Sequence, residues 1–542
     1  MNDATLPAAG LAAAALPVST RVMNLATFLT QSARRLPDQV ALVMGERRWT
    51  WAEFEARTDA LAAALQDRLG LKKGDRVLCQ SQNCPEMMQA MFAVWRAGGV
   101  WVPANFRQTP EEVAYQVQAS GAVGLVCNAA FPDHAAACGD LGFTLTIGGG
   151  AFGTSLEALT EDYMGQRPRV AVVDRDDPCW FFFTSGTTGR PKASVLTHGQ
   201  MAFVVTNHLA DLMPGLTPAD ASLVVAPLSH GAGVHQLTQV ARGVKTVLMP
   251  SERFDVDTVC ALIAEWRVST IFTVPTILKL IVEHPAAATA DLSSLRYVIY
   301  AGAPMYREDQ KRALEVLGPV LVQYFGLGEV TGAITVLPTY LHSATDDGLT
   351  GTCGFARTGL EVQVQDDSGV EVAPGETGEL CVTGPAVFAG YWNNPKANAE
   401  SFRNGWFRTG DLGHMDARGF FYITGRKSDM FISGGSNVYP REVEEKILTH
   451  PAISEVAVLG MPDPLWGEVG WAVCVPREGV AVTPEDLAAH LDGKLSRYKL
   501  PRRFVMWDAL PKSAYGKITK KMIRDEIIAR GLVAPADEQR RA

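Results

Sequence analysis

The sequence predicts an α/β protein, with a large N-terminal domain of layered, parallel-rich sheets and helices and a smaller α+β C-terminal domain. Three observations predict it. Strand, helix and strand patterns alternate through most of the chain. From about Gly359 the texture changes to period-two alternation broken by Gly and Asp turns, which reads as a β-hairpin subdomain. Past Gly425 to Asp429 a new segment begins, with helices, intervening strands and a basic terminal helix, so the expected division is 1–427 and 428–542.

In chain order, the first strand–helix–strand unit is "RVLCQS" (Arg76 to Ser81), "PEMMQAMFAVWRAG" and "VWVPA". Met88, Met91, Phe92 and Trp95 follow the i, i+3, i+4, i+7 spacing of a buried helical stripe, and such a stripe reads as core. The second unit is "STIFTV" followed by "PTILKLIVEH", where Pro275 suits a first helical turn. The third is "LRYVIYAGAP", a helix over "REDQKRALEVLG", and the strand "PVLVQYFG". Strands alternating with helices need crossovers, and crossovers make sheets largely parallel. "GLEVQVQDDSGVEVAPGETGELCVTG" alternates as an antiparallel hairpin does, and "PREVEEKILTH" and "PEDLAAHLDGKL" read as helices of the last domain.

A chain of 542 residues exceeds a single core and should divide into domains. A net charge of −9 with no basic stripe argues against a nucleic-acid binder, which needs a counterion-releasing surface. Nine cysteines are scattered without a CxxC pair or a His cluster, which argues against a disulfide framework or zinc site and for a reducing compartment. "AAGLAAAALPV" near the start has no preceding Lys or Arg and fails as a signal peptide. Nothing approaches the roughly 18 unbroken apolar residues of a membrane span, so a cytoplasmic protein is expected.

"FFFTSGTTGRPKAS" (Phe181 to Ser194) is an aromatic strand that breaks into small hydroxylated residues and closes on a lone Lys. Thr184, Ser185, Gly186, Thr187, Thr188 and Gly189 offer backbone N–H groups and rotatable O–H donors, and Lys192 adds one cation. That inventory suits phosphate oxygens. It is not a Walker loop: counted from Gly186, Pro191 falls where that pattern needs its second Gly, and Ala193 follows Lys192.

"TSGTTGRPK" resembles the phosphate loop of the adenylate-forming (ANL) superfamily, which includes acyl-CoA synthetases, adenylation domains and luciferases. The resemblance runs through nearly the whole chain and points to the AMP-forming acyl-CoA synthetase branch. "PLSHGAG" looks like the segment beside the acyl carboxylate, with His230 at its polar position. "YFGLGEVTG" resembles the block that holds adenine and metal: Tyr324, Phe325 and Gly326 would line the nucleotide, and Glu329 would hold Mg²⁺. Gly302 and Ala303 of "AGAPM" join the expected nucleotide site, and Asp411 of "WFRTGDLG" would accept the ribose hydroxyls with Arg426 nearby. Lys517 of "LPKSAYGKITK" stands where the family keeps its adenylation lysine. The acyl pocket is expected at His230, Gly231, Ala232, Gly233, Val274, Ala301 and Met305. The resemblance also implies that the C-terminal domain is mobile, hinged at Ser428. Gly434 and Gly435 would line a CoA tunnel, with Trp466 packing near it.

The chemistry implied is R–COO⁻ + ATP → R–CO–AMP + pyrophosphate, followed by attack of the CoA thiol. The carboxylate and the α-phosphate are both anions, so fixed cations should stabilise a transition state that gathers charge. Lys517 would bridge them, Mg²⁺ on Glu329 would ease departure of pyrophosphate, and the Gly/Ser/Thr loop would hold the outer phosphates. No side-chain nucleophile is needed, in keeping with the absence of a G-x-S-x-G elbow. The expected partners are ATP, CoA and a small carboxylic acid; the pocket shows no obvious cation for a second carboxylate, and a homodimer is compatible with the sequence. Three positions depart from the family pattern: Gly328 where a Thr usually precedes the acid, Ala193 where Gly usually follows the Lys, and Ser428 where the hinge is usually Asp or Lys.

Rival readings are fewer. "TIGGGAFG" puts Gly148, Gly150 and Gly153 in a G-x-G-x-x-G pattern after an apolar strand, with Asp174 downstream, as in a dinucleotide-binding NAD(P) oxidoreductase. Against it, "SLEALTEDYM" is short for the crossover helix and lies beyond the third Gly. A stand-alone enzyme that loads a carrier protein keeps the fold and changes the acceptor; no carrier-like "LGGxS" follows Lys517. A nucleotide-binding relic would explain the three departures, but Lys517, Glu329 and Asp411 are all retained.

Overall fold

Apolar runs buried on both faces set the architecture. In the computed structural model, which describes residues 20–150, 152–184, 190–251, 253–303, 305–345, 348–433, 435–512 and 518–533, Arg76–Gln80 pairs in parallel with Val100–Ala104 and with Gly124–Asn128. Every residue of Val100–Ala104 is buried, as expected of a central parallel strand. The sheet runs Lys192–Thr197, Pro178–Thr184, Val100–Ala104, Arg76–Gln80, Gly124–Asn128, Phe143–Ile147, Thr154–Ser155. Its one antiparallel pair among the described residues is Pro178–Thr184 with Lys192–Thr197, the two strands that flank the donor-rich segment in sequence.

The second large sheet runs Phe355–Ala356, Thr335–Leu337, Leu321–Phe325, Tyr297–Tyr300, Thr270–Thr273, Ala221–Val224, Lys245–Leu248, Val40–Met44, Arg47–Thr50. From Leu321–Phe325 to Val40–Met44 its pairs are parallel, and both edges are antiparallel. The second and third predicted units lie in its middle, with helices Pro275–Glu283 and Arg307–Leu317 as crossovers.

The helix Pro85–Ala97 differs from its predicted stripe. All of its residues are buried, so it is a core helix rather than an amphipathic one. Phe54 meets Phe92 edge-on at 5.6 Å, and Trp95 lies 6.0 Å from Trp180 of the loop-bearing strand. The hairpin is therefore anchored in the largest apolar cluster of the molecule.

Past residue 360, Glu361–Gln365 and Gly378–Thr383 pair antiparallel as predicted, and Trp406–Met415 joins them with Phe421–Arg426 on its other side. The smaller C-terminal domain is built on the long hairpin Ile453–Asp463 and Gly467–Pro476, with Arg503–Met506 parallel to the latter. Val443, Ile447, Leu487 and Leu491 cover one side of this sheet, and Ile523, Ile527 and Trp507 belong to a second cluster. The basic terminal helix Lys520–Ala529 is tied down: Lys520 pairs with Glu444, whose Oε1 also accepts from the Val458 N–H. No helix among the described residues is long and apolar enough to cross a membrane.

The G-x-G-x-x-G segment has a packing explanation. A Cβ at Gly153 would lie 2.5 Å from the Thr144 carbonyl, so the glycine permits contact with the preceding strand. The Gly148 N–H donates to the Glu157 carboxylate at 2.8 Å, so that donor is already taken by an anion of the chain itself. The helix that follows, Leu156–Asp162, is capped by Ser155 beyond the glycines, and Asp174 lies in a separate two-stranded ribbon with Arg21–Val22. These contacts disfavour the dinucleotide reading.

Candidate functional site

Strand register brings the charged groups together. In the hairpin, Thr184 stands directly across from Lys192. Residues 185–189, the predicted phosphate nest Ser185, Gly186, Thr187, Thr188 and Gly189, lie outside the described residues. Thr184 Oγ1 donates to Glu329 Oε1 at 2.9 Å, joining the loop-bearing hairpin to the "YFGLGEVTG" segment. Glu329 is 5 % exposed, within the short 3₁₀ turn Gly328–Val330. The glycines around it are fixed by close approach: a Cβ at Gly326 would lie 2.3 Å from the Gly332 backbone, because the chain doubles back. Thr331, with φ 50°, takes the left-handed conformation that closes this turn.

A residue the sequence did not single out completes the group. Tyr391 OH donates to the same Glu329 Oε1 at 2.9 Å, and the Lys192 ammonium lies 4.8 Å from the centre of the Tyr391 ring. Burial and the adjacent carboxylate push the Tyr391 phenol well above its ordinary range, so it remains a donor. No spacing rule points to it, because its segment is placed by long-range pairing: Ala389 N–H donates to Val195 O and Trp392 N–H to Ala193 O.

Asp411 and Arg426 sit opposite each other in the antiparallel pair Trp406–Met415 and Phe421–Arg426, and their side chains form an ion pair of 2.7 Å. Asp411 is buried and Arg426 half-buried.

His230 precedes the helix Gly231–Arg242; Ser229 Oγ lies 2.9 Å from its Nδ1, and the Phe182 ring meets it edge-on at 5.2 Å. Phe182 also packs where a side chain at 328 would be, since a Cβ on Gly328 would approach its Cδ1 to 2.7 Å. Gly231 and Gly233 leave no open space: Cβ atoms there would lie 2.9 Å from the Phe272 ring and 2.1 Å from the Leu228 carbonyl. Ala232 and Ala301 are buried, while Val274 and Met305 are half-buried.

Tyr324 and Phe325 face opposite sides of their strand. The Tyr324 ring enters the core, nearly parallel to His235 at 5.7 Å and to Phe272 at 6.1 Å. Gly302 and Ala303 are exposed on the turn after Tyr297–Tyr300. Thr184, His230, Val274, Ala301, Gly302 and Phe325 all lie at or just past the carboxyl ends of their strands or in the adjoining turns, the edge of an α/β sheet where ligands collect. A cavity of about 30 Å³ opens near Met305 and Gln323, with Arg441 and Glu445 of the C-terminal helix Pro440–Leu448 contributing to its wall.

Lys517 and Gly434 lie outside the described residues. Ser428 is exposed in a turn, its Oγ 3.3 Å from Asp429 Oδ1, and Gly435 has φ 82° with open space where a Cβ would stand. Trp466 is exposed at the tip of the long hairpin, with the Arg502 guanidinium 5.6 Å from its ring.

Among the described residues no cluster of three or more His, Cys, Asp and Glu could hold a metal ion unaided. A single carboxylate is what a magnesium ion arriving on nucleotide phosphates requires. Glu329 fits: the side-chain hydrogen bonds from Thr184 and Tyr391 both fall on Oε1, and neither takes Oε2.

Residues 29–392 match the AMP-binding enzyme family, and residues 442–517 match the AMP-binding enzyme C-terminal domain. The chain is similar to the feruloyl-CoA synthase of Amycolatopsis sp, 37% identical over 508 residues that cover 93% of this chain and 99% of that protein. Among solved structures it is similar to the amide bond synthetase McbA from Marinactinospora thermotolerans, with a TM-score of 0.84 and 28% identity, covering 93% of this chain and 99% of the other. It is likewise similar to the o-succinylbenzoate CoA synthetase of Bacillus subtilis in complex with its acyl-adenylate intermediate, with a TM-score of 0.80 and 29% identity, covering 93% and 98%.

Proposed function

The chain belongs to the AMP-binding enzyme family and is an AMP-forming carboxylate–CoA ligase, and from that premise we propose how its residues divide the work. One observation supports the division above others: Thr184, Lys192 and Glu329 converge around Tyr391 at the strand ends.

Residues 185–189 and Lys192 hold the outer phosphates of ATP, and Asp411 with Arg426 holds the ribose. Glu329 would hold magnesium, which when bound would neutralise phosphate oxygens and ease the loss of pyrophosphate. Lys517, delivered by the C-terminal domain, sits between the substrate carboxylate and the α-phosphate, where the two anions repel. A carboxylate oxygen attacks the α-phosphorus, the bond to the β-phosphate oxygen breaks, and acyl-AMP remains. His230, fixed by Ser229 and Phe182, lines the acyl carboxylate. The C-terminal domain, 428–542, then turns about Ser428, and the CoA sulfur attacks the acyl carbon, releasing AMP. Gly434, Gly435 and Trp466 border the path of CoA.

The feruloyl-CoA synthase similarity puts aromatic acids first among the substrates to test. The amide bond synthetase likeness raises an amine as a second acceptor, and a carrier-protein thiol is a third. Short, long-chain and aryl acids are to be offered with ATP and Mg²⁺, and pyrophosphate release followed with CoA, an amine, a carrier protein or no acceptor. Acid-dependent release with thioester formed on free CoA is expected. Amide or carrier thioester in its place would reassign the acceptor and leave the adenylation half intact.

A further inference from the structure

We propose that Tyr391 is a positioning residue: it fixes the Glu329 carboxylate and the Lys192 ammonium relative to each other, and so sets how tightly the enzyme holds magnesium-bound ATP. The inference rests on the nucleotide-binding reading above and adds to it a residue outside the phosphate loop and the acid-bearing turn.

Two contacts on different parts of one side chain carry it. The hydroxyl end of Tyr391 donates to Glu329 Oε1 at 2.9 Å, while the ring lies 4.8 Å from the Lys192 ammonium. A hydrogen bond to a carboxylate fixes direction as well as distance, and a cation over an aromatic ring is held at its π-electron cloud. The acid that would take the metal and the cation that would take phosphate thus share one rigid spacer.

The spacer is itself clamped. Its backbone N–H donates to Asn398 Oδ1 at 2.6 Å, and Asn398 Nδ2 returns a bond to the Tyr391 carbonyl at 3.1 Å. Phe388 meets its ring edge-on at 4.8 Å. The Glu329 backbone carbonyl is held separately, by the Phe388 N–H at 2.8 Å. The phenol oxygen therefore reaches the Glu329 side chain and not its backbone, and it also meets the Ser401 side chain. Thr184 and Tyr391 both donate to Oε1, and neither takes Oε2. Without the phenol, Thr184 alone would hold it, and the carboxylate could rotate.

Tyr391→Phe removes the hydroxyl and keeps the ring beneath Lys192; Tyr391→Leu removes both. ATP binding to the full-length protein is measured by calorimetry, with excess Mg²⁺ and again in EDTA, alongside the thermal midpoint and the KM values for acid, CoA and Mg²⁺. For Tyr391→Phe we expect binding of Mg²⁺–ATP weakened about tenfold, as for loss of one hydrogen bond to a charged group. Its binding in EDTA, its thermal midpoint and its KM for acid and CoA stay as in the wild type, while the Mg²⁺ concentration for half-maximal rate rises. Tyr391→Leu weakens ATP binding in EDTA as well. Wild-type Mg²⁺–ATP affinity in Tyr391→Phe, or equal weakening with and without Mg²⁺, overturns the proposal. If the wild-type protein binds ATP no better with Mg²⁺ than in EDTA, the nucleotide-site reading itself is overturned, and that result is distinct.

Discussion

Replacing Gly328 by Ala tests the packing behind the acid. A Cβ there would stand 2.7 Å from Phe182 Cδ1, 2.9 Å from Phe182 Cε1 and 2.9 Å from Thr184 Cγ2. Carbon atoms prefer about 3.5–4.0 Å, so the shortfall is of order 1 Å at each contact. Neither neighbour can retreat without consequence, since Phe182 abuts His230 and Thr184 holds Glu329. Overpacking of this kind costs about 1–3 kcal/mol, which would lower kcat/KM by roughly tenfold to a hundredfold if it falls on the site. Gly328→Thr sharpens the contrast. From the sequence, a Thr before the acid should add a hydrogen bond worth roughly 1.5–3 kcal/mol; from the structure, its Cβ meets the same wall. The assay is pyrophosphate release for Gly328→Ala, Gly328→Thr, Phe182→Leu and the double variant Phe182→Leu/Gly328→Ala. The double variant should recover at least fivefold relative to additive effects, a coupling of about 1 kcal/mol. A Gly328→Thr enzyme faster than the wild type, or strictly additive singles, would refute the packing account.

Acid should unfold the protein early. Burial lowers the imidazole pKa of His198 to about 4, of His235 to about 3 and of His342 to about 4, and holds His208, beside Arg357, well below its ordinary value. Below about pH 6.5 the unfolded chain binds protons that the folded one refuses, so stability falls as pH falls. His198, His235 and His342 each account for about 2 kcal/mol of that loss between pH 7 and pH 5, and His208 acts in the same direction. Urea unfolding across that range should show the loss; a flat profile would contradict it. Asp411→Asn removes the buried charge opposite Arg426, and KM for ATP should rise about tenfold while KM for the acid is unchanged; steady-state kinetics with each substrate varied decides this. Equal changes in both would mean a general loss of structure.

Local chemistry was legible in the sequence, and its long-range placement was not. The strand–helix–strand units follow from periodicity, and the donor-rich loop is contiguous, so both could be read directly. Asp411 and Arg426 are joined by hairpin register, a near-neighbour relation once both strands are assigned. Tyr391 meets Glu329 only because residues 389–392 pair with the strand after the phosphate loop, a contact between distant segments. Glycines show the same limit. Gly231, Gly233 and Gly328 each accommodate a neighbour whose close approach no local pattern encodes. The buried group of His208, His235, Tyr324 and Arg357 was likewise hidden, because its members come from four separate elements.

The central claim is that a magnesium-bound nucleotide and a carboxylate are joined with help from a lysine of the C-terminal domain. Its most direct test compares Lys517→Ala with the wild type in two half-reactions: pyrophosphate release from ATP and acid, and conversion of supplied acyl-AMP with CoA. Loss of the first by orders of magnitude is expected, with the second retained. Normal pyrophosphate release in the variant would contradict it.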